Sequence, residues 1–457
     1  MGVDAGTAEP ALSARGRVGY GVGISGLWMV FMTVAFYLFY FYTDVFGLSP
    51  AQAGLVFFGA TMWDAVSDPA MGWLASRTRT RWGQYRPYIL IGAVPLCIAF
   101  VIMFSRPDWA AGHLVVYALG AQLMFRTAFT VVYIPYTALI ARLSRNADER
   151  ASIAGVKTFF VAAGSLTVSF FGLPLVDQLG RGDDLRGFFL TALLFGCLSI
   201  VTLTLCGLVT KETALSNSGA HSDTSSPIAA LKALFTNPAF VLVFAGVIVF
   251  TGCYATLNKT LVYFFEYDIG DRSQVRWALS AVSVAGLVSP FVWAKLTHLT
   301  SKRVTWLAGC LLATAALLIF YIAAPRSAAV ITAFYFIAGC GIQAFLMTFY
   351  AITADAIDYG EWLSGIRVEA IGFGLLSFAN KTSLAIGGGL LGWLLGQVGY
   401  TAGAVQTPET IAGIRAILVF VPCAGFLASS AIIWFFPVST ARHNAVIEAL
   451  NARRQLT

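Results

Sequence analysis

Charge is scarce in this sequence. Of 457 residues only 11% are Asp, Glu, Lys or Arg, against about a quarter in soluble domains, while 58% are hydrophobic and the mean hydropathy is +0.77. A soluble chain of this length would divide into domains joined by polar linkers, and too little polar surface exists here to cover them. Most of the chain must be solvated by lipid. Histidine is nearly as rare, with four residues. There is also no nucleophile elbow and no phosphate loop, which leaves an enzyme without candidate chemistry and implies no cofactor. The seven cysteines (Cys97, Cys197, Cys206, Cys253, Cys310, Cys340 and Cys423) form no CxxC pair or other metal spacing and fall in apolar runs. They are expected as buried packing residues without a disulfide. The first 17 residues lack an apolar h-region, so no cleavable signal peptide is expected and the first spanning segment would direct insertion. The net charge of +7 does not point to nucleic acid, because the basic residues are dispersed between apolar blocks and form no stripe.

What is present in abundance is apolar runs of spanning length. A helix needs roughly 20 apolar residues to cross a bilayer core of about 30 Å. Twelve windows qualify: 19–43, 50–75, 87–105, 111–140, 152–176, 187–210, 239–265, 275–297, 303–324, 328–354, 369–397 and 412–437. Twelve spans put both termini on one side. The segments on that side hold eighteen Lys and Arg residues, and the opposite loops hold seven, so the positive-inside rule places both termini in the cytoplasm. The expected protein is an all-α polytopic membrane protein, a monomer, in a bacterial plasma (inner) membrane. Residues 1–18 and 438–457 form cytoplasmic tails. The connection 211–238 contains the polar run SNSGAHSDTSSP and reads as a flexible linker. It separates six helices (19–210) from six (239–437), the arrangement of major facilitator transporters, whose two halves rock around a central cavity.

Four cations lie inside spans: Arg126, Lys157, Lys259 and Lys381. Charge at membrane depth is costly and marks a pathway or a partner. The second span carries Asp64 and Asp68 four residues apart, hence on one helical face and about 6 Å apart at Cβ. Their repulsion must be compensated. Either one carboxylate keeps a proton, or a small cation such as Na+ sits between them, with Ser67 and Thr130 adding hydroxyl ligands. Lys381 is the expected counter-charge when the cation leaves. In the fourth span Arg126, Thr130, Tyr133 and Thr137 make one polar stripe, expected to line the cavity. Lys157, Asn258 and Lys259 are weaker candidates for the same cavity.

These residues also carry a family likeness. The stretch from YFYTDVFGLSP through WDAVSDPAMG to RTRTRWGQYRP, together with YIPYTALIARLSRNADERAS, ADAIDYGEW and Asn380–Lys381, resembles the glycoside-pentoside-hexuronide:cation symporters, the group containing the melibiose permeases. The likeness runs in order along nearly the whole chain. It implies a symporter that couples Na+, Li+ or H+ entry to sugar uptake by alternating access. It also implies a cation site of Asp64, Ser67, Asp68 and Thr130, with Lys381 shared between cation and sugar.

Departures from the family pattern concern the sugar. Where melibiose permeases place two galactoside-binding aspartates, this chain has Trp28 and Tyr133, and a common arginine of the fifth span is Lys157. Arg126 and Lys259 stand where those permeases have small residues. Losing two carboxylates and adding two cations favours an anion, so the expected substrate is a hexuronide or sulfonated sugar, or an aromatic glycoside. The alternatives are a neutral oligosaccharide and a cation-coupled carrier of an amphiphile such as a lysolipid. At the cytoplasmic mouth, Asp355, Asp358 and Glu361 are expected to pair with Arg367 or with the Arg77-containing loop, closing a gate.

Overall fold

The structure, a computed structural model, describes residues 13–143, 147–210, 212, 227–366 and 368–456. Among them there is no β-strand. The helices are α1 (Ala14–Tyr40), α2 (Pro50–Arg77), α3 (Arg86–Met103), α4 (Leu114–Leu143), α5 (Ala147–Gly180), α6 (Asp184–Val209), α7 (Pro227–Thr236), α8 (Pro238–Tyr263), α9 (Val275–Leu299), α10 (Lys302–Ala323), α11 (Ala328–Ser364), α12 (Glu369–Gln397), α13 (Pro408–Trp434) and α14 (Thr440–Leu456). Many starts are written into the sequence. Ser49 forms a capping box with Gln52 ahead of Pro50, and Asn237 and Thr407 cap α8 and α13 just before their prolines; a capping oxygen followed by proline at the first position satisfies donors that the helix leaves free.

Ten helices are long and apolar enough to cross a membrane. Against the twelve spans expected, the other two are α2 and α12, with 28 and 29 residues. These two carry Asp64, Asp68 and Lys381, which lower their hydropathy. The segment 211–238 is not linker throughout, because α7 forms within it and buries Ala230 and Leu234. Helix α14 likewise occupies most of the C-terminal tail. All seven cysteines are free, but contrary to the expected burial Cys253 and Cys340 are only half-buried and Cys197 is exposed; the neighbours of Cys197, Leu194, Leu198 and Val201, are exposed too, an apolar face of the kind that lipid covers.

α1 packs on α5 and α6, and α3 on α4 and α6; in the second half α8 packs on α12 and α13, and α10 on α11 and α13. The halves meet through α2–α12, α5–α9 and α1–α8. Both α1 and α8, the first long helix of each half, end in a π-helical turn, Phe41–Val45 (FYTDV) and Phe264–Ile269 (FFEYDI). Such turns recur at functional positions, and this pair places Asp44 and Asp268 at matching points of the two halves.

Contacts between the halves gather at the end away from the termini, the far end. Arg272 grips Asp184 with two bonds of 2.5 and 2.6 Å and Asp177 with one of 2.6 Å. Thr43 and Tyr263 share a 2.6 Å bond, and Asp44 accepts hydroxyls from Tyr267 and, at 2.5 Å, Tyr400. Ser280 reaches Ser169 at 3.4 Å, and Phe170 meets Trp277 edge-on. Toward the termini, Gly72 of α2 and Gly374 of α12 have no neighbouring atom within 4 Å of where a Cβ would stand.

Small residues let α2 and α12 approach closely at the far end. A Cβ on Gly392 would fall on the Pro50 carbonyl oxygen, and one on Gly54 would lie 3.1 Å from the Gly389 Cα. Gly392→Leu is therefore expected to overpack this seam at a cost of about 1–3 kcal/mol, read as a fall of several degrees in the apparent Tm of the purified protein. An unchanged Tm would show that the seam yields.

Candidate functional site

The carboxylate pair sits where α2 meets α4 and α12. Asp64, with a side chain only 5% exposed, accepts a 2.7 Å charge-assisted bond from Nη1 of Arg126, whose Nη2 donates to the Thr61 hydroxyl at 3.0 Å. Asp68 accepts the Thr130 hydroxyl at 2.8 Å and pairs with the Lys381 ammonium. Each carboxylate thus has its own internal cation. The sequence points to one counter-charge, Lys381, for both and groups Arg126 with the substrate; the structure adds Arg126 to the cation cluster. Two ion pairs leave these four groups neutral together, which removes most of the repulsion that the i,i+4 spacing would otherwise create. Two oxygens remain without a partner, Oδ1 of Asp64 and Oγ of Ser67. They lie on one face, three residues apart, and are hard-ligand atoms suited to a small cation or a proton.

Beside the pair lies a cavity of ≈ 410 Å³ walled by four helices of each half. α1 supplies Trp28, α4 Arg126, α8 Asn258 and Lys259, and α12 Asn380. Among the described residues its wall contains two cations and no carboxylate. The Lys259 ammonium is buried, bonded to the Ala255 carbonyl at 3.3 Å and 5.5 Å from the centre of the Phe57 ring. Buried cations usually need an anionic partner, so the wall is prepared for negative charge. Trp28 and Tyr254 add aromatic surface.

Other expected residues stand behind this wall. Tyr133 does not line the cavity; its ring lies 6.3 Å from that of Trp28 and stacks on Phe129 at 5.2 Å. Thr137 spends its hydroxyl on the Ile134 carbonyl at 2.9 Å, a habit of helical threonines. Lys157 is half-buried next to Thr158, which does reach the wall. Asn258 lines the cavity as expected, but several other lining residues are not among the candidates of the sequence. Thr251 and Tyr254 join Asn258 in a stripe on α8 with the 3,4 spacing that identified the stripe on α4. Gln343, set in an apolar run of α11, gave no such signal.

The expected gate is arranged differently. Asp355 bonds Lys302 at 2.7 Å, within its own half, and Asp358 faces His443 of α14 at 3.3 Å. Arg77 lies over the Trp73 ring of its own helix at 4.0 Å. Asp355 and Asp358 are thus paired with Lys302 and His443 and not with Arg77; Glu361 belongs to the same stretch of α11, and Arg367 lies outside the described residues. The far-end cluster of Arg272, Asp177 and Asp184 ties the halves together by ion pairs, as Lys381 and Asp68 do beside the cavity.

Residues 19–440 match the family model described as MFS/sugar transport protein. The chain belongs to that family. This transporter is 31% identical over 446 residues to the inner membrane symporter YicJ of Escherichia coli (96% of this chain, 95% of the relative). It is 30% identical to the putative glycoside/cation symporter YagG of the same organism over 97% and 96% of the two chains. A third relative, the E. coli glucuronide carrier protein homolog, is 28% identical over 97% of each. Among solved structures, a bacterial homologue of the lysosomal transporter Spinster superposes with a TM-score of 0.67 at 14% identity, covering 96% of this chain and 98% of that one, which shows the major facilitator fold. The protein is a multi-pass membrane transporter and not an enzyme.

Proposed function

We propose that this transporter is a cation-coupled symporter of an anionic sugar or glycoside, driven by Na+ or H+ and lodged in the inner membrane with both termini cytoplasmic. The observation that carries the reading is the division of labour between two adjacent sites. The carboxylates Asp64 and Asp68, with Ser67 and Thr130, provide oxygens for the cation, while the cavity wall offers Arg126 and Lys259 and no acid. Trp28 and Tyr254 provide ring surface for the apolar face of a pyranose, and Asn258, Gln343 and Asn380 provide hydroxyl partners. Lys381, paired with Asp68 next to Asn380, links the two sites. The relatives named above support sugar over an amphiphile as cargo, and the glucuronide carrier homologue supports an acidic one.

The test compares two probes that differ only at C6, 4-nitrophenyl β-D-glucuronide and 4-nitrophenyl β-D-glucoside. In proteoliposomes with an inward Na+ gradient or an inward pH gradient, the glucuronide is expected to accumulate and the glucoside to enter at least about tenfold more slowly, since a charge-assisted bond to a desolvated cation adds about 1.5–3 kcal/mol. Faster entry of the glucoside would overturn the anionic substrate. Uptake of neither probe under either gradient would count against sugar symport itself.

A further inference from the structure

We propose that Arg126 is a charge switch: the coupling cation takes Asp64 from it, and the released guanidinium becomes the group that holds the substrate anion. The inference rests on the cation and anion sites proposed above and says how they communicate.

Three features of the structure lead to it. Arg126 stands at the boundary of both sites, bonded to Asp64 and Thr61 on one side and lining the cavity on the other, with its Nε buried and without a partner. Asp64 uses only one oxygen for Arg126, and Oδ1 remains unpartnered on the same helical face as the unpartnered Ser67 Oγ. A cation entering there would meet an anion already neutralised. The remaining cavity cation, Lys259, is held by its own helix, and among the described residues it makes no hydrogen bond or ion pair with Asp64 or Asp68.

The consequence follows from charge balance. Asp64, Asp68, Arg126 and Lys381 sum to zero when the site is empty. Na+ binding, or transfer of a proton to a carboxylate oxygen of Asp64, adds one positive charge, and mutual repulsion in a poorly hydrated pocket then loosens Arg126 from Asp64. Arg126 keeps its own protons throughout and turns toward the cavity, where a sugar carboxylate or sulfonate restores neutrality. Cation alone leaves an uncompensated charge, and anion alone finds Arg126 occupied. Each ligand therefore raises the affinity for the other by the same factor, which is the coupling a symporter needs. A neutral sugar gains nothing from the switch.

The experiment measures cation affinity and glucuronide affinity separately on the purified full-length protein, by calorimetry with Na+ or with pH titration, using 4-nitrophenyl β-D-glucuronide as probe. In the wild type, saturating cation is expected to tighten glucuronide binding about tenfold or more. In Arg126→Gln, the cation should bind about tenfold tighter in the absence of any sugar, because Asp64 has lost its internal partner, and the effect of cation on glucuronide should fall below about twofold. Thr61→Val removes only the second bond of the guanidinium and should tighten cation binding about threefold; it carries the test if Arg126→Gln does not fold. Unchanged or weaker cation binding in these variants, or full cation stimulation of glucuronide binding without Arg126, overturns the switch. The sugar-free measurement separates the two ideas. If the wild type binds no anionic glycoside, the proposed substrate is wrong, while tighter cation binding in Arg126→Gln still shows that Arg126 competes for Asp64.

Discussion

Asp68→Asn is expected to abolish gradient-driven accumulation of substrate while leaving the folded protein intact. The side chain keeps its shape and still accepts the Thr130 hydroxyl, now 2.8 Å from Asp68 Oδ1, but loses the charge that holds Lys381. Removing one member of a buried ion pair costs about 3–5 kcal/mol. Here the side chains are 19% and 32% exposed, so hydration of the orphaned ammonium reduces that to about 2–3 kcal/mol. The cation site loses half of its negative charge at the same time, and a free Lys381 ammonium competes for Asp64. Together these should weaken cation binding about 100-fold and leave the gradient nothing to act on. Uptake into proteoliposomes, measured with and without the gradient, checks this; Asp68→Glu, which restores the charge, should recover part of the accumulation. Accumulation undiminished in Asp68→Asn would remove Asp68 from the cation site.

The parts of this site that the sequence exposed are those set by a single helix. Asp64, Ser67 and Asp68 share a face because the α-helix repeats every 3.6 residues, and nothing outside α2 is needed to see it. The partnership of Arg126 with Asp64 depends on how α4 lies against α2, which no periodicity encodes; the stripe of Arg126, Thr130, Tyr133 and Thr137 is visible in the sequence, but its members serve different surroundings, Tyr133 stacking on Phe129 behind the cavity wall. Arg126 faces both sites, Thr130 serves Asp68, and Thr137 turns back to its own backbone. Among the gate residues, Asp355 and Asp358 stand out in the sequence as a cluster just past a spanning window, but their partners Lys302 and His443 come from α10 and α14, and α14 lies in a stretch read as a tail. Arg272 was counted only as one of seven basic residues on the less positive side. Its two carboxylates come from α5 and the start of α6, 95 and 88 residues away in the chain.

Loss of Arg272 should therefore change the conformational balance more than any other single far-end substitution. Its guanidinium gives a bidentate grip on Asp184, a bond to Asp177 and a 3.3 Å bond to the Tyr40 hydroxyl, tying the second half to the first by four hydrogen bonds. This cluster and the Asp44–Tyr267–Tyr400 group hold the far end shut, and alternating access requires both to break. The aspartates are 38% exposed, so water compensates part of the loss, and Arg272→Ala should destabilise the closed far end by about 1–2 kcal/mol, or about 5–30-fold in the ratio of the two states. Spin labels at Gln178 and Ser327, both exposed at that end and on opposite halves, in a background freed of the native cysteines, would report it. The distance distribution should broaden and move outward in Arg272→Ala, and addition of the coupling cation with glucuronide should shift it further than in the unsubstituted protein. Asp184→Asn, which leaves Asp177 in place, should give a smaller displacement of the same sign. A distribution unchanged by either substitution would mean that the aromatic packing around Tyr40 and Tyr263, whose rings lie 5.7 Å apart, closes the far end without help from the ion pairs.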